Sequence, residues 1–116
     1  MAYRVERALD TDRDLEAIFD FLVRSYIDFG EQRGDAFERA GARLADIEAG
    51  MAAIGGAPHQ GTLRPDLAPK LRSVTKGRAI YYFAVDDDLR RVRFLAVFFG
   101  GQDHQRTMLK RLLRRD

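Results

Sequence analysis

Arginine carries most of the chemical potential of this chain, because other reactive side chains are scarce. Of 116 residues none is cysteine, and only His59 and His104 are histidine. Disulfides, thiolate metal sites and cysteine nucleophiles are therefore excluded. Neither histidine has a carboxylate in ligand spacing, so no metal site and no cofactor are expected. Arg72, Arg78 and Arg93 fall on neighbouring strand candidates, and the two-residue step places Arg91 on the same face as Arg93. From the residues alone, these are solvated strand-edge charges or partners for nearby aspartates. Tyr81 and Tyr82 are residues of the kind that a sheet buries.

The charges nearly cancel, with 20 basic against 18 acidic residues, for a net charge of +2. Their distribution is uneven: 12 of the basic and 5 of the acidic residues lie from Lys70 onward. A basic C-terminal half points to a polyanion or an acidic protein partner. Within it, Lys110, Arg111, Arg114 and Arg115 form the wet face of an amphipathic helix, or a patch for such a partner. No apolar run approaches the ~18 residues of a membrane span. The opening MAYRVERALD has no apolar centre and no Arg-rich, acid-free stretch, so a cytoplasmic protein without membrane contact is expected.

The elements that must position these residues read as follows. Tyr3 to Ala8 is a short strand. Thr11 offers an N-cap, and Leu15, Ile18, Phe19, Leu22, Tyr26 and Phe29 make one helical face that Gly30 ends. Phe37, Ala40, Leu44, Ile47, Met51 and Ile54 repeat at steps of three and four, giving a second helix that packs against the first as a hairpin. Gly50 lies off that stripe, where a neighbour can approach closely. Gly55-Gly56 and Pro58 stop the helix, and residues 55–69, with all three prolines, form a crossing loop. Leu71 to Thr75, Arg78 to Val85 and Arg91 to Phe99 are strands. Asp86-Asp87-Asp88 turns between the last two, which are apolar on both faces and so covered on both sides. Gly100-Gly101 precedes a terminal helix from Gln102 to Arg115, with Met108, Leu109, Leu112 and Leu113 inward. The expectation is one α+β domain over residues 1–116, in the order β-α-α-β-β-β-α. The sheet is antiparallel and the N-terminal helical hairpin packs on one face.

This order, with Leu71-Arg72, Arg78 before Ile80-Tyr81-Tyr82, Asp86-Asp87, Val92 to Val97 and Gly100-Gly101-Gln102-Asp103 in register, resembles the RelE/ParE superfamily of toxins. The resemblance covers nearly the whole chain. It implies a toxin of a type II toxin–antitoxin module, neutralised by a cognate antitoxin that folds onto it. RelE-like members cut mRNA in the ribosomal A site, whereas ParE-like members poison DNA gyrase. Under the nuclease alternative Arg72, Arg78 and Arg93 would surround the scissile phosphate, supplying cations for a metal-independent cleavage. Many nuclease members carry a histidine where this chain has Phe99, which cannot transfer a proton. His104 could replace it only if the terminal helix folds back. The resemblance therefore favours the ParE-like branch. Lys76, Tyr82, Arg91, Gln102, Asp103, Lys110 and Arg111 are the expected contacts with target or antitoxin. A toxin that has lost toxicity and only binds antitoxin is the remaining alternative.

Overall fold

The computed structural model describes residues 2–100 and 104–114. Its elements are β1 (Arg4–Arg7), α1 (Leu9–Asp28), α2 (Arg33–Gly56), β2 (Thr62–Leu63), β3 (Leu71–Lys76), β4 (Ala79–Asp86), β5 (Arg91–Phe99) and α3 (His104–Arg114). The strands form one sheet in the order β1-β5-β4-β3-β2. The α+β class and the helical hairpin are as the sequence predicts. Two features differ. The crossing loop contains β2, whose two residues pair with Ser73 and Arg72. The sheet is mixed: β2 to β5 run antiparallel, but β1 joins β5 in parallel, from Arg4 beside Arg91 to Arg7 beside Phe94. A four-residue edge strand with no hairpin to its neighbour carries no local signal of direction; the route through the helical hairpin sets it.

Two apolar layers enclose the sheet. On one face Leu15, Ile18, Leu22, Ala40, Ile47, Met51 and Ile54 of the helical hairpin meet Tyr81, Phe83, Val85, Val92 and Phe94. On the other, Met108 and Leu112 of α3, with Leu67 and Ala68 of the crossing loop, cover Tyr82, Leu95, Ala96 and Phe98. The helices meet the sheet closely at Gly50, where a Cβ would stand 2.5 Å from the Tyr81 hydroxyl. That hydroxyl donates to the Ile47 carbonyl at 2.8 Å. A larger residue at 50 would remove the bond, which is why the off-stripe glycine suits this helix.

β5 contains a bulge. Tyr82 pairs with Ala96 and Phe83 with Phe94, leaving Leu95 as an extra residue. Alternation therefore reverses across it: Val92 and Phe94 face the helical hairpin before Leu95, and Val97 and Phe99 do so after it. Leu95, Ala96 and Phe98 face α3.

Several side chains depart from the helical periodicity. α1 begins at Leu9 with Ala8 as its N-cap, so Thr11 is not the cap. Thr11 is buried instead, and its hydroxyl donates to the Phe94 carbonyl at 2.9 Å. Phe29 lies past the last turn of α1 and is 89% exposed. Leu109 and Leu113 also face outward, because α3 is a short helix on a narrow face and buries only Met108 fully.

Candidate functional site

The C-terminal helix folds back across the sheet, and its first residue reaches β4. His104 Nδ1 lies 2.6 Å from the Tyr82 hydroxyl, with the two rings 5.8 Å apart. Burial raises the Tyr82 pKa, and the nearby Arg64 guanidinium opposes that shift. Arg64 is itself ion-paired with Asp66 at 3.3 Å, which raises its own pKa. A hydrogen-bonded phenol and imidazole beside a guanidinium can hold and exchange a proton, with the imidazole tautomer setting the direction.

A second constellation closes the edge of β5 where β1 runs out. Among the described residues that edge has no strand partner beyond Phe94, and side chains take its backbone groups. Asp14 accepts from the Val97 N–H at 3.0 Å, and Arg111 donates to the Leu95 carbonyl at 3.1 Å. Arg111 also holds both Asp14 oxygens, at 2.8 and 2.9 Å, in the fork geometry that suits a carboxylate. Its Nε lies 3.6 Å from Asp10, and its guanidinium sits over the Phe98 ring. The hydrogen bond to Asp14 raises the Arg111 pKa against the effect of burial.

A third cluster lies at the opposite end of β4, near the β4–β5 turn. The Tyr3 hydroxyl donates to Asp87 Oδ1 at 2.7 Å, and His59 Nε2 lies 2.7 Å from the same oxygen. These bonds hold the Asp87 carboxyl below its usual range, the Tyr3 bond contributing most, and the Tyr3 phenol is raised in turn. A depressed folded-state pKa means that the contribution is present above the unfolded value and lost as pH falls through the folded one. Acid unfolding below about pH 4 should therefore include protonation of Asp87. In Asp87→Asn the stability profile, measured by denaturant unfolding between about pH 5 and 2, should be flatter over that window. An unchanged slope would remove Asp87 from the acid transition.

Solved structures share this architecture, among them two from toxin–antitoxin assemblies. A chain of the chromosomal ParDE TA system from P. aeruginosa superposes with a TM-score of 0.65 and 20% identity, over 85% of this chain and 97% of that one. The chain has the RelE/ParE fold. A chain of the toxin–antitoxin complex RelBE2 from Mycobacterium tuberculosis matches at a TM-score of 0.58 and 16% identity, over 85% and 99%. No family model and no curated protein matches the sequence.

On this RelE/ParE fold the three arginines expected around a scissile phosphate do not come together. Arg72 pairs in register with Phe83, on the side of the helical hairpin, and donates to the carbonyls of His59 and Gln60 at 3.0 and 3.4 Å. Arg93 pairs with Ala84 on the α3 side, 3.7 Å from Glu6. Arg78 precedes β4 at the far end, about 20 Å along the strand from that rung. Strand alternation and the ends of β4 separate them, which residue spacing did not reveal.

The expected contact residues divide in the same way. Lys76 and Lys110 are exposed, whereas Tyr82 is fully buried. Arg91 lies 3.7 Å from both Glu6 and Asp86. Arg111, expected on the wet face of α3, is turned inward to Asp14 because the open β5 edge needs a donor there. Gln102 and Asp103 lie outside the described residues.

Sequence reasoning missed Arg64, Asp14 and the Tyr3–Asp87–His59 cluster. Asp14 lies near the start of α1, and nothing local pairs it with a residue 97 positions away. Among the described residues, no group of histidine and carboxylates could hold a metal ion, and no helix is long and apolar enough to cross a membrane.

Proposed function

We propose that this chain is the toxin of a type II toxin–antitoxin module, neutralised by a cognate antitoxin and acting in the ParE-like manner by binding DNA gyrase. The observation that carries the reading is the dispersal of Arg72, Arg78 and Arg93 over two faces and two ends of the sheet. Phosphoryl transfer needs its cations around one phosphate, and this dispersal supports the gyrase-binding reading over the nuclease one. Phe99, at the position where a nuclease would carry histidine, is nearly buried beneath two guanidiniums. Both structural neighbours belong to toxin–antitoxin assemblies by their own descriptions.

The antitoxin's place is supported by a groove of about 540 Å³ on the helical hairpin, lined by Phe19, Val23, Ile27 and Phe37 together with Asp20, Arg24 and Arg33. Phe37 and Ile27 are each at least 40% exposed there. An antitoxin helix with apolar residues three and four apart, flanked by carboxylates, has the chemistry to fill it.

The second reading, a ribosome-dependent mRNA endonuclease, has the Tyr82–His104 pair in its favour. One experiment separates the two. Purified chain is added to a gyrase supercoiling reaction and, in parallel, to a cell-free translation reaction. Loss of supercoiling with translation intact is the expected result. Translation arrest with gyrase unaffected would overturn the gyrase assignment, and His104→Gln should then relieve the arrest. Inertness in both reactions would leave a chain that only binds antitoxin.

A further inference from the structure

We infer that the cleft between α1, the open edge of β5 and α3 binds a small amphipathic monocarboxylate, an apolar body ending in one carboxylate, with Arg78 as its counter-ion. The inference goes beyond the reading above, since it requires neither gyrase nor an antitoxin.

The cleft follows from where β1 stops. β1 pairs with β5 only as far as Phe94, and the chain then turns into α1. Val97 to Gly100 therefore lie at an edge that no strand covers among the described residues. Asp14, Ala17, Ile18 and Phe21, at steps of three, one and three, put one face of α1 along this edge. The Arg111–Asp14 pair holds α3 on the other side. Ala17 contributes only a methyl group to its wall. The space left is about 620 Å³, within the range of roughly 300–1,000 Å³ that small-molecule sites occupy.

The walls specify the body of the ligand. Ala17, Ile18, Phe21, Val97, Phe98 and Phe99 are all apolar. Phe21 is 53% exposed, an aromatic ring on the cleft that the chain itself leaves uncovered. The charges specify the head. Of the ionic side chains on the cleft, Arg111 and Asp14 neutralise one another at 2.8 Å, which leaves Arg78. Among the described residues no carboxylate lies within ion-pairing distance of Arg78, and its guanidinium carbon is 5.6 Å from the centre of the Phe99 ring. Stacking on that ring steadies the planar fork and leaves its N–H edges available. Gly100, at a φ of +77°, keeps the space beside it open, since a Cβ there would stand 3.5 Å from Arg78 Nη2. One unmatched positive charge beside an apolar cleft suits one carboxylate, which the fork can bind through two parallel hydrogen bonds. A dianion would bring a second charge with no partner.

The test is isothermal titration of the full chain with decanoate, below the concentration at which it forms micelles, beside decanol as the uncharged match. The expected result is saturable one-to-one binding of decanoate, with decanol bound about tenfold more weakly. Decanoate should also shift the amide resonances of Ala17, Val97 and Phe98. Arg78→Gln should bind decanoate no better than decanol, and Arg78→Lys, with the charge but not the fork, should fall between. Ala17→Phe fills the cleft from an exposed position and should abolish binding of both. Arg43 stacks on the same Phe99 ring but lines a different cavity, so Arg43→Gln should bind as the parent does. Thermal unfolding without ligand reports whether each variant is folded, and the amide shifts locate the site in the parent chain where a variant is not. No saturable binding of decanoate overturns the proposal, as do amide shifts confined to other elements or equal affinities for decanoate and decanol. A folded Arg78→Gln chain with the parental affinity overturns it as well. A peptide with an apolar C-terminal residue that outcompetes decanoate, and no longer does so once amidated, also overturns it and assigns the cleft to a protein terminus.

Discussion

Replacing Asp14 with alanine should lower the free energy of unfolding by about 3–5 kcal/mol, as breaking one side of a buried ion pair does. Both partners are largely shielded, with 12% of the Asp14 side chain and 11% of Arg111 exposed. The loss reaches beyond the pair. Without Asp14 the Val97 N–H has no acceptor, and Arg111 remains among apolar side chains with only the Leu95 carbonyl and the more distant Asp10. Arg111→Ala should cost a similar amount, because it strands the Asp14 carboxylate and frees a largely shielded side chain that ties α3 to α1.

A double variant separates the ionic contribution from the backbone one. Asp14→Leu with Arg111→Met restores apolar volume but leaves the Leu95 carbonyl and the Val97 N–H unpaired. It should recover part of the loss and remain below the parent chain. Urea unfolding gives the free energies, and amide exchange should show α3 opening before the sheet in either single variant. Single variants that lose less than about 1 kcal/mol would mean that the pair behaves as an exposed one.

Phe94→Ala should cost a comparable amount, about 3–5 kcal/mol, through loss of a buried ring and the cavity left behind. Phe94 is fully buried. Its ring stands 5.6 Å from Phe83 and 6.1 Å from Tyr81, and its carbonyl accepts from both the Ala8 N–H and the Thr11 hydroxyl. The site sits beside the bulge, where neither neighbouring strand can slide in to fill the gap without losing its register. Phe29→Ala is the matched comparison. At 89% exposed, Phe29 should be replaceable within about 0.5 kcal/mol, although both phenylalanines belong to apolar patterns in the sequence. Equal losses for the two would contradict the burial described here. Against a total stability of about 5–15 kcal/mol for a domain of this kind, the Phe94 loss is large enough to measure by chemical denaturation.

Local patterns made most of the fold legible. Periodicity gave both helices of the hairpin, because amphipathic helices repeat their burial every three or four residues. The doubly apolar runs Arg78 to Val85 and Arg91 to Phe99 identified the central strands β4 and β5, since a strand covered on both faces cannot alternate. Glycine and proline placed the crossing loop. The site was much less legible. Tyr82 was visible as a buried strand residue, but its partner His104 depends on where a helix beginning 22 residues later comes to rest. Arg111 looked like any other cation on a basic helix. Only the unpaired edge of β5 explains why it turns inward.

What the amino-acid order determined by itself was element type, the covering of the sheet on two faces, and the exclusion of cysteine chemistry. Each follows from side-chain type and short-range spacing. Tertiary structure alone decided the parallel entry of β1, the reversal of facing at Leu95 and the scattering of Arg72, Arg78 and Arg93. It also brought Arg43 and Arg78 to the same Phe99 ring. These depend on which edge a strand joins and where one extra residue shifts the register. A one-residue shift moves every later side chain to the opposite face while leaving the local pattern of apolar residues intact.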